Sequence, residues 1–103
     1  MSIDTDLRDS GSTLVIKLDD KFDFGKVQDF RLAYADLSDN VQKIEVDLTS
    51  TEYMDSSALG MLLNMQKALS DRTIKYSITN ARPQVSRILK ISRFDKKFDI
   101  SEA

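Results

Sequence analysis

Strict alternation of apolar and polar residues constrains this chain more than any other feature. In KIEVDLT (43–49), Ile44, Val46 and Leu48 alternate with Glu45 and Asp47. TLVIKL (13–18) sets Leu14, Ile16 and Leu18 on one side and Thr13, Val15 and Lys17 on the other. TIKYSIT (73–79) repeats the pattern with Ile74, Tyr76 and Ile78. Successive side chains of a strand point to opposite faces, so each segment is a strand with one apolar face. A parallel sheet covered on both faces would read as continuous apolar runs. The alternation therefore predicts helices mainly on one face.

Three helical patterns lie between and after these strands. In 25–37, Val27, Phe30, Tyr34 and Leu37 recur at spacings of three and four. In 56–71, Ala58, Leu62, Met65 and Leu69 form one stripe, with Leu59 at its edge. In 83–92, Val85, Ile88 and Leu89 form a short stripe behind Pro83, which suits a first helical position. IDTDL (3–7) and KFDIS (97–101) complete the reading as short edge strands. The order predicts one α/β domain over 1–103, with a mixed, partly parallel sheet of four or five strands. Leu14, Ile16, Ile44, Val46, Leu48, Leu62, Leu69 and Ile74 are its expected core.

Absent residue types narrow the chemistry. The chain has no Cys and no His, which removes disulfides, the usual zinc sites and an imidazole base. Its three glycines, Gly11, Gly25 and Gly60, build neither a P-loop nor a dinucleotide fingerprint. The net charge of −2, with cations scattered among acids, gives no phosphate-tracking surface for nucleic acid. No apolar run approaches membrane-spanning length, and the first residues lack the pattern of a secretion signal. The expectation is a cytoplasmic protein, monomeric by default, with no cofactor and no enzymatic activity. Asp23 and Asp55 as paired catalytic carboxylates lack any supporting framework, and Asp23 reads better as a loop acid or cap.

The stretch EYMDSSALGMLLNMQKAL (52–69) is the most informative. Asp55 precedes the helix and fits the ordinary N-cap arrangement, and serines in a first turn are common. At 100° per residue, the face opposite the apolar stripe carries Ser57, Gly60, Asn64, Lys67 and Asp71. A glycine inside a helix costs about 1 kcal/mol relative to alanine. On a solvent face no internal packing requires it, whereas close approach of another molecule would. Met61 and Leu63 are expected at the margins of that face.

DLTSTEYMDSSALGMLL (47–63) closely resembles the hallmark segment of STAS domains, and most of all that of single-domain bacterial anti-sigma factor antagonists. Asp55, Ser56, Ser57, Leu59 and Gly60 match the family's Asp-Ser-Ser-Gly-Leu-Gly, with Ala58 in place of the first glycine. LDDKFDFGKVQDF (18–30) is similar to the family's segment with an aspartate before the first helix, here Asp23. NARPQVSRILKISRF (80–94) is similar to its last helix, although Arg93 stands where many members have glycine and is expected to alter the last loop.

The resemblance implies a binding module switched by reversible phosphorylation, with Ser56 as acceptor. It implies a partner-binding surface of Asp23, Met54, Asp55, Ser57, Gly60, Met61, Leu63 and Asn64. The implied partners are a serine kinase of the anti-sigma type, or a response regulator, and a metal-dependent serine phosphatase. The unphosphorylated form binds and the phosphorylated form does not, with output in transcription, biofilm or stress regulation. The alternative is an adaptor subunit of an ABC-type lipid or anion transport system, where the same helix docks on a membrane protein.

Overall fold

A computed structural model describes residues 3–103. Five strands form the main sheet: β1 (Ile3–Arg8), β2 (Thr13–Leu18), β4 (Lys43–Asp47), β6 (Lys75–Ala81) and β7 (Asp99–Glu102), side by side in that order. β1 and β2 are antiparallel, and the other three pairings are parallel. A parallel neighbour requires a long return path. The chain supplies it with α1 (Val27–Ala33), α2 (Ser56–Ala68) and α3 (Pro83–Ile91). Two further strands, β3 (Lys21–Phe22) and β5 (Tyr53–Met54), pair in parallel apart from the main sheet.

The alternation has the cause inferred for it. Leu14, Ile16, Ile44, Val46 and Ile78 share one cluster with Phe30 of α1, with Ala58, Leu62 and Met65 of α2, and with Val85 and Leu89 of α3. The opposite face carries Lys43, Glu45 and Asp47 in register with Lys75, Ser77 and Thr79. Helices thus cover one face, and the other stays polar. Val15 departs from this rule, being fully buried on the polar face and outside the core cluster. Its register neighbours are Asp6 on β1 and Glu45 on β4, so it lies on the middle of three paired strands.

Several boundaries differ from the sequence reading. The first helix, expected over 25–37, becomes a 3-10 turn at Phe24–Lys26 followed by α1. Phe30 and Tyr34 are buried as expected, and Leu37 packs on the core from beyond the helix. α2 stops at Ala68, with Leu69 as its C-cap, so Leu69 is half-buried rather than buried. The third strand starts at Lys75, not Thr73, and Ile74 is likewise half-buried. Arg72, just upstream, is committed to the α1–β4 connection, donating to the carbonyls of Leu37, Ser38 and Val41. Arg93, which stands where many members of the family have glycine, precedes the last 3-10 turn at Phe94–Lys96. It adopts the left-handed conformation (φ 61°) natural to glycine, at a cost of roughly 1–2 kcal/mol.

A polar clasp fixes the end of β4. β6 changes register between Ile78 and Ala81, and Asn80 there has φ 59°. Asparagine is among the residues that tolerate this conformation. Asp47 Oδ1 accepts from the Thr49 amide at 3.0 Å, from the Thr49 hydroxyl, and from Asn80 Nδ2 at 3.1 Å. Burial pushes the Asp47 carboxyl up, but these hydrogen bonds and the charge of Lys17 outweigh it and hold it below the usual aspartate value. The stabilisation from ionised Asp47 is thus complete above the unfolded pKa and fades as pH falls through the lower folded value. The urea-midpoint difference between wild type and Asp47→Asn should be flat above about pH 4 and should shrink in more acid solution. A difference that stays constant through the acid range would remove Asp47 from this role.

Candidate functional site

Two short strands place the residues of interest. β3 pairs with β5 so that Lys21 lies opposite Tyr53 and Phe22 opposite Met54. Each strand then runs into an aspartate that caps a helical turn. Asp23 Oδ1 accepts from the Gly25 amide at 3.0 Å, starting the 3-10 turn. Asp55, in extended conformation, accepts on Oδ1 from the amides of Ser57 at 2.9 Å and Ala58 at 3.3 Å, starting α2. Such caps satisfy amides that a helix start leaves without partners. The parallel register therefore brings two capped helix starts to the same pole.

The loop ahead of α2 is held from both sides. The amides of Glu52 and Tyr53 donate to the Asp20 carbonyl at 2.9 and 3.1 Å. The buried Thr51 donates its hydroxyl to the Asp19 carbonyl at 2.8 Å. From the other side, Arg82 donates to the Thr49 carbonyl at 3.2 Å. Ser56 is the first residue of α2 and is exposed. Among the described residues its hydroxyl has no hydrogen-bond partner. Ser57 is half-buried.

α2 presents Ser56, Gly60, Leu63, Asn64 and Lys67 outward and buries Ala58, Met61, Leu62 and Met65. Gly60 and Asn64 thus lie on the outer face, as the helical phase predicts, and Leu63, expected at its margin, is exposed beside them. Met61 does not stand at its margin. It is 6% exposed, because α1 covers that flank and encloses Met61 in a narrow crevice with Val27, Phe30 and Tyr34. Met54 is also withdrawn, at 3% exposed, since strand alternation turns it inward and Tyr53 outward. A Cβ added at Gly60 would meet nothing within 4 Å, so the fold itself does not require glycine there.

The exposed apolar groups of this pole are Phe24 (74%), Tyr53 (51%) and Leu63 (39%). Phe24 and Tyr53 were not singled out by sequence pattern. The signal for Phe24 is its place between a capping aspartate and a glycine, outside the apolar stripe of α1. Asp20, Asp23, Glu52 and Asp55 share this surface with the exposed Lys21, while Lys26 is drawn inward to the Lys21 carbonyl at 2.8 Å and to Asp19 at 3.2 Å. Among the described residues there is no cluster of three metal-ligating side chains, and no helix is long and apolar enough to cross a membrane.

The family model of the STAS domain matches residues 4–103. A STAS-domain containing protein of Pseudomonas aeruginosa (strain UCBPP-PA14) is 42% identical over 91 residues, covering 88% of this chain and 90% of its own. Among solved structures, the anti-sigma factor antagonist SpoIIAA in its unphosphorylated form superposes with a TM-score of 0.79 at 21% identity, over 99% of this chain and 88% of that one. The Bacillus cell fate determinant SpoIIAA in its phosphorylated form gives 0.73 at 19% identity, over 99% and 91%.

Two substitutions on α2 should move stability in opposite directions. Asp55→Ala removes the cap and should cost about 0.5–2 kcal/mol. Gly60→Ala fills open space and should gain up to about 1 kcal/mol from helix propensity. Urea unfolding of both variants checks the pair, and a destabilising Gly60→Ala would mean that the outer face of α2 is not free.

Proposed function

The chain belongs to the STAS domain family, and on that premise we propose that it is a partner-switching regulatory protein of the anti-sigma factor antagonist type. Ser56 is the phosphate acceptor, and the outer face of α2 is the binding surface. The observation that carries this reading is the Ser56 hydroxyl, exposed and unpartnered on a helix start held from both sides. The fold it shares with SpoIIAA, a protein solved both with and without phosphate, supports it. The protein acts by binding rather than by catalysis. It engages a serine kinase of the anti-sigma type when unphosphorylated, and a metal-dependent serine phosphatase restores that form in the cytoplasm.

The local chemistry explains how phosphate would work. A phosphoserine adds roughly −1.5 to −2 charge and three acceptor oxygens. A helix N-terminus favours an anion, but the amides of Ser57 and Ala58 are already taken by Asp55. The phosphate therefore stands outward beside Asp55 and the neighbouring Asp23 turn, and meets whatever docks there. Like charge brought into an interface costs several kcal/mol. The switch acts on the partner and leaves the fold in place.

The test is phosphate transfer from ATP by the serine kinase purified from the producing organism, read by mass spectrometry. Wild type and Ser57→Ala should gain one phosphate on Ser56, and Ser56→Ala should gain none while staying folded and binding-competent. Ser56→Asp should weaken binding only in part, since a carboxylate carries less charge than phosphate. Gly60→Trp should weaken binding without loss of stability. Phosphate on Ser57 in the Ser56→Ala variant would move the site by one residue. No phosphate on either serine would put the transport-adaptor reading ahead.

A further inference from the structure

We infer that the chain forms a weak two-fold dimer through the free edge of β1, with two copies of the strand antiparallel about Leu7. The main sheet has two edges, and β7 is the guarded one. It has four residues, and its register against β6 shifts between Ile78 and Ala81. Its Glu102 is tied to Lys90 at 2.8 Å and to Ser86 at 3.0 Å. β1 lacks the proline, the bulge and the inward-pointing charge that usually protect an edge. It pairs with β2 over six residues in unbroken register, and Thr5 and Leu7 lie opposite Ile16 and Leu14 of the core. Its charges, Asp4, Asp6 and Arg8, stand on the polar face.

Apolar surface runs along the same edge. Leu7 is 57% and Leu32 of α1 69% exposed, and neither belongs to the core. A groove of about 200 Å³ joins them, lined also by Thr5, Leu14, Leu37 and Val41. The charges specify the occupant. Side chains directly opposite on paired strands share a face and interact. When β1 runs antiparallel to itself about Leu7, the two Leu7 side chains meet, and Asp6 of each copy faces Arg8 of the other. Asp6-Leu7-Arg8 is thus its own complement. Arg8 already reaches Asp6 of its own chain at 3.4 Å, with both side chains about half exposed, so each is free to meet the second copy. The β7 edge would set Asp99 and Glu102 against Asp4 and Asp6, which opposes an open chain of copies. A two-fold pair closes on itself.

The pairing is short, with Leu7 and Leu32 as its main apolar groups, so it falls below the area of a standard stable interface. The dimer is therefore weak and governed by concentration. Arg8 lies opposite Thr13, at the start of the parallel strands, whereas α2 begins beyond the end of β4. The joint is at the other pole from Ser56 and leaves that residue open in both copies. The inference stands independently of the reading of Ser56.

Sedimentation velocity on the full chain, over a rising concentration series, tests the inference. Wild type should pass from monomer to dimer between micromolar and millimolar concentration, and the amides of 4–8 should gain protection from hydrogen exchange in step. Asp6→Arg and Arg8→Asp each set like charges opposite and should raise the dissociation constant about tenfold or more. An equimolar mixture of the two variants should regain the dimer, because two cations of one chain then face two anions of the other. Leu32→Ser should weaken the dimer by a similar factor and keep the wild-type urea midpoint, since that side chain is mostly exposed. A wild type that stays monomeric throughout overturns the inference and leaves the β1 edge to a different partner. A dimer that both charge variants leave intact, or a mixture that dimerises no better than either variant alone, overturns the pairing about Leu7. A dimer that survives all three substitutions but is lost in Gly60→Trp places the contact on α2 and overturns it as well.

Discussion

Only one face of the sheet is covered, and the free surface of α2 follows from that. A single layer of helices leaves each helix with one stripe on the sheet and one face towards solvent. On α2 the inner stripe of Ala58, Leu62 and Met65 is so fully buried that the phase of the helix is fixed. Ser56, Gly60 and Leu63 must then point outward. A second layer of helices on that side would have hidden the same residues. The exposed face of α2 is therefore a consequence of the architecture, and only its chemistry is a choice of sequence.

That chemistry depends on a pairing of four residues. Lys21 with Tyr53 and Phe22 with Met54 form a parallel ladder too short to stand alone. It is supported from below by Phe22, which packs on Phe30 with ring centroids 5.2 Å apart, and by Phe30 in turn against Tyr34. It is supported from the side by Thr51 and by the amides that reach the Asp19 and Asp20 carbonyls. The ladder matters for the site because it fixes the relative height of the two capping aspartates. Losing its register would separate the Phe24 turn from the start of α2.

The sheet was legible because period-2 alternation over five to seven residues is hard to produce otherwise. Ile44, Val46 and Leu48 revealed their strand, their buried face and the one-sided covering together. The inward and outward faces of α2 were legible from the same kind of repetition. What repetition does not encode stayed hidden. Two residues give no period, so β3 and β5 were not seen. Met61 lies near the edge of its stripe, and its burial depends on how closely α1 approaches, which no pattern within α2 contains. Phe24 escaped notice because a 3-10 turn, closed by Asp23 and Gly25, interrupts the helical phase just before α1. Arg93 shows the reverse case, since its departure from glycine is visible in the sequence while the left-handed backbone it adopts there is not.

The position of Asp55 separates the stability of the fold from the state of Ser56. Had Ser56 been the cap, its side chain would have held the helix start, and modifying it would have disturbed α2. Asp55 instead holds the amides of Ser57 and Ala58, and Ser56 sits one residue inside with its hydroxyl free. An added phosphate then has little local structure to break and few free amides to neutralise it. Close charges near a protein surface interact by up to about 4 kcal/mol, nearly a thousandfold in an equilibrium constant. With the helix start already occupied, most of that energy would be available to act on a partner docked at the proposed site. A capping aspartate directly before an exposed serine is thus a simple way to alter recognition while leaving the helix intact.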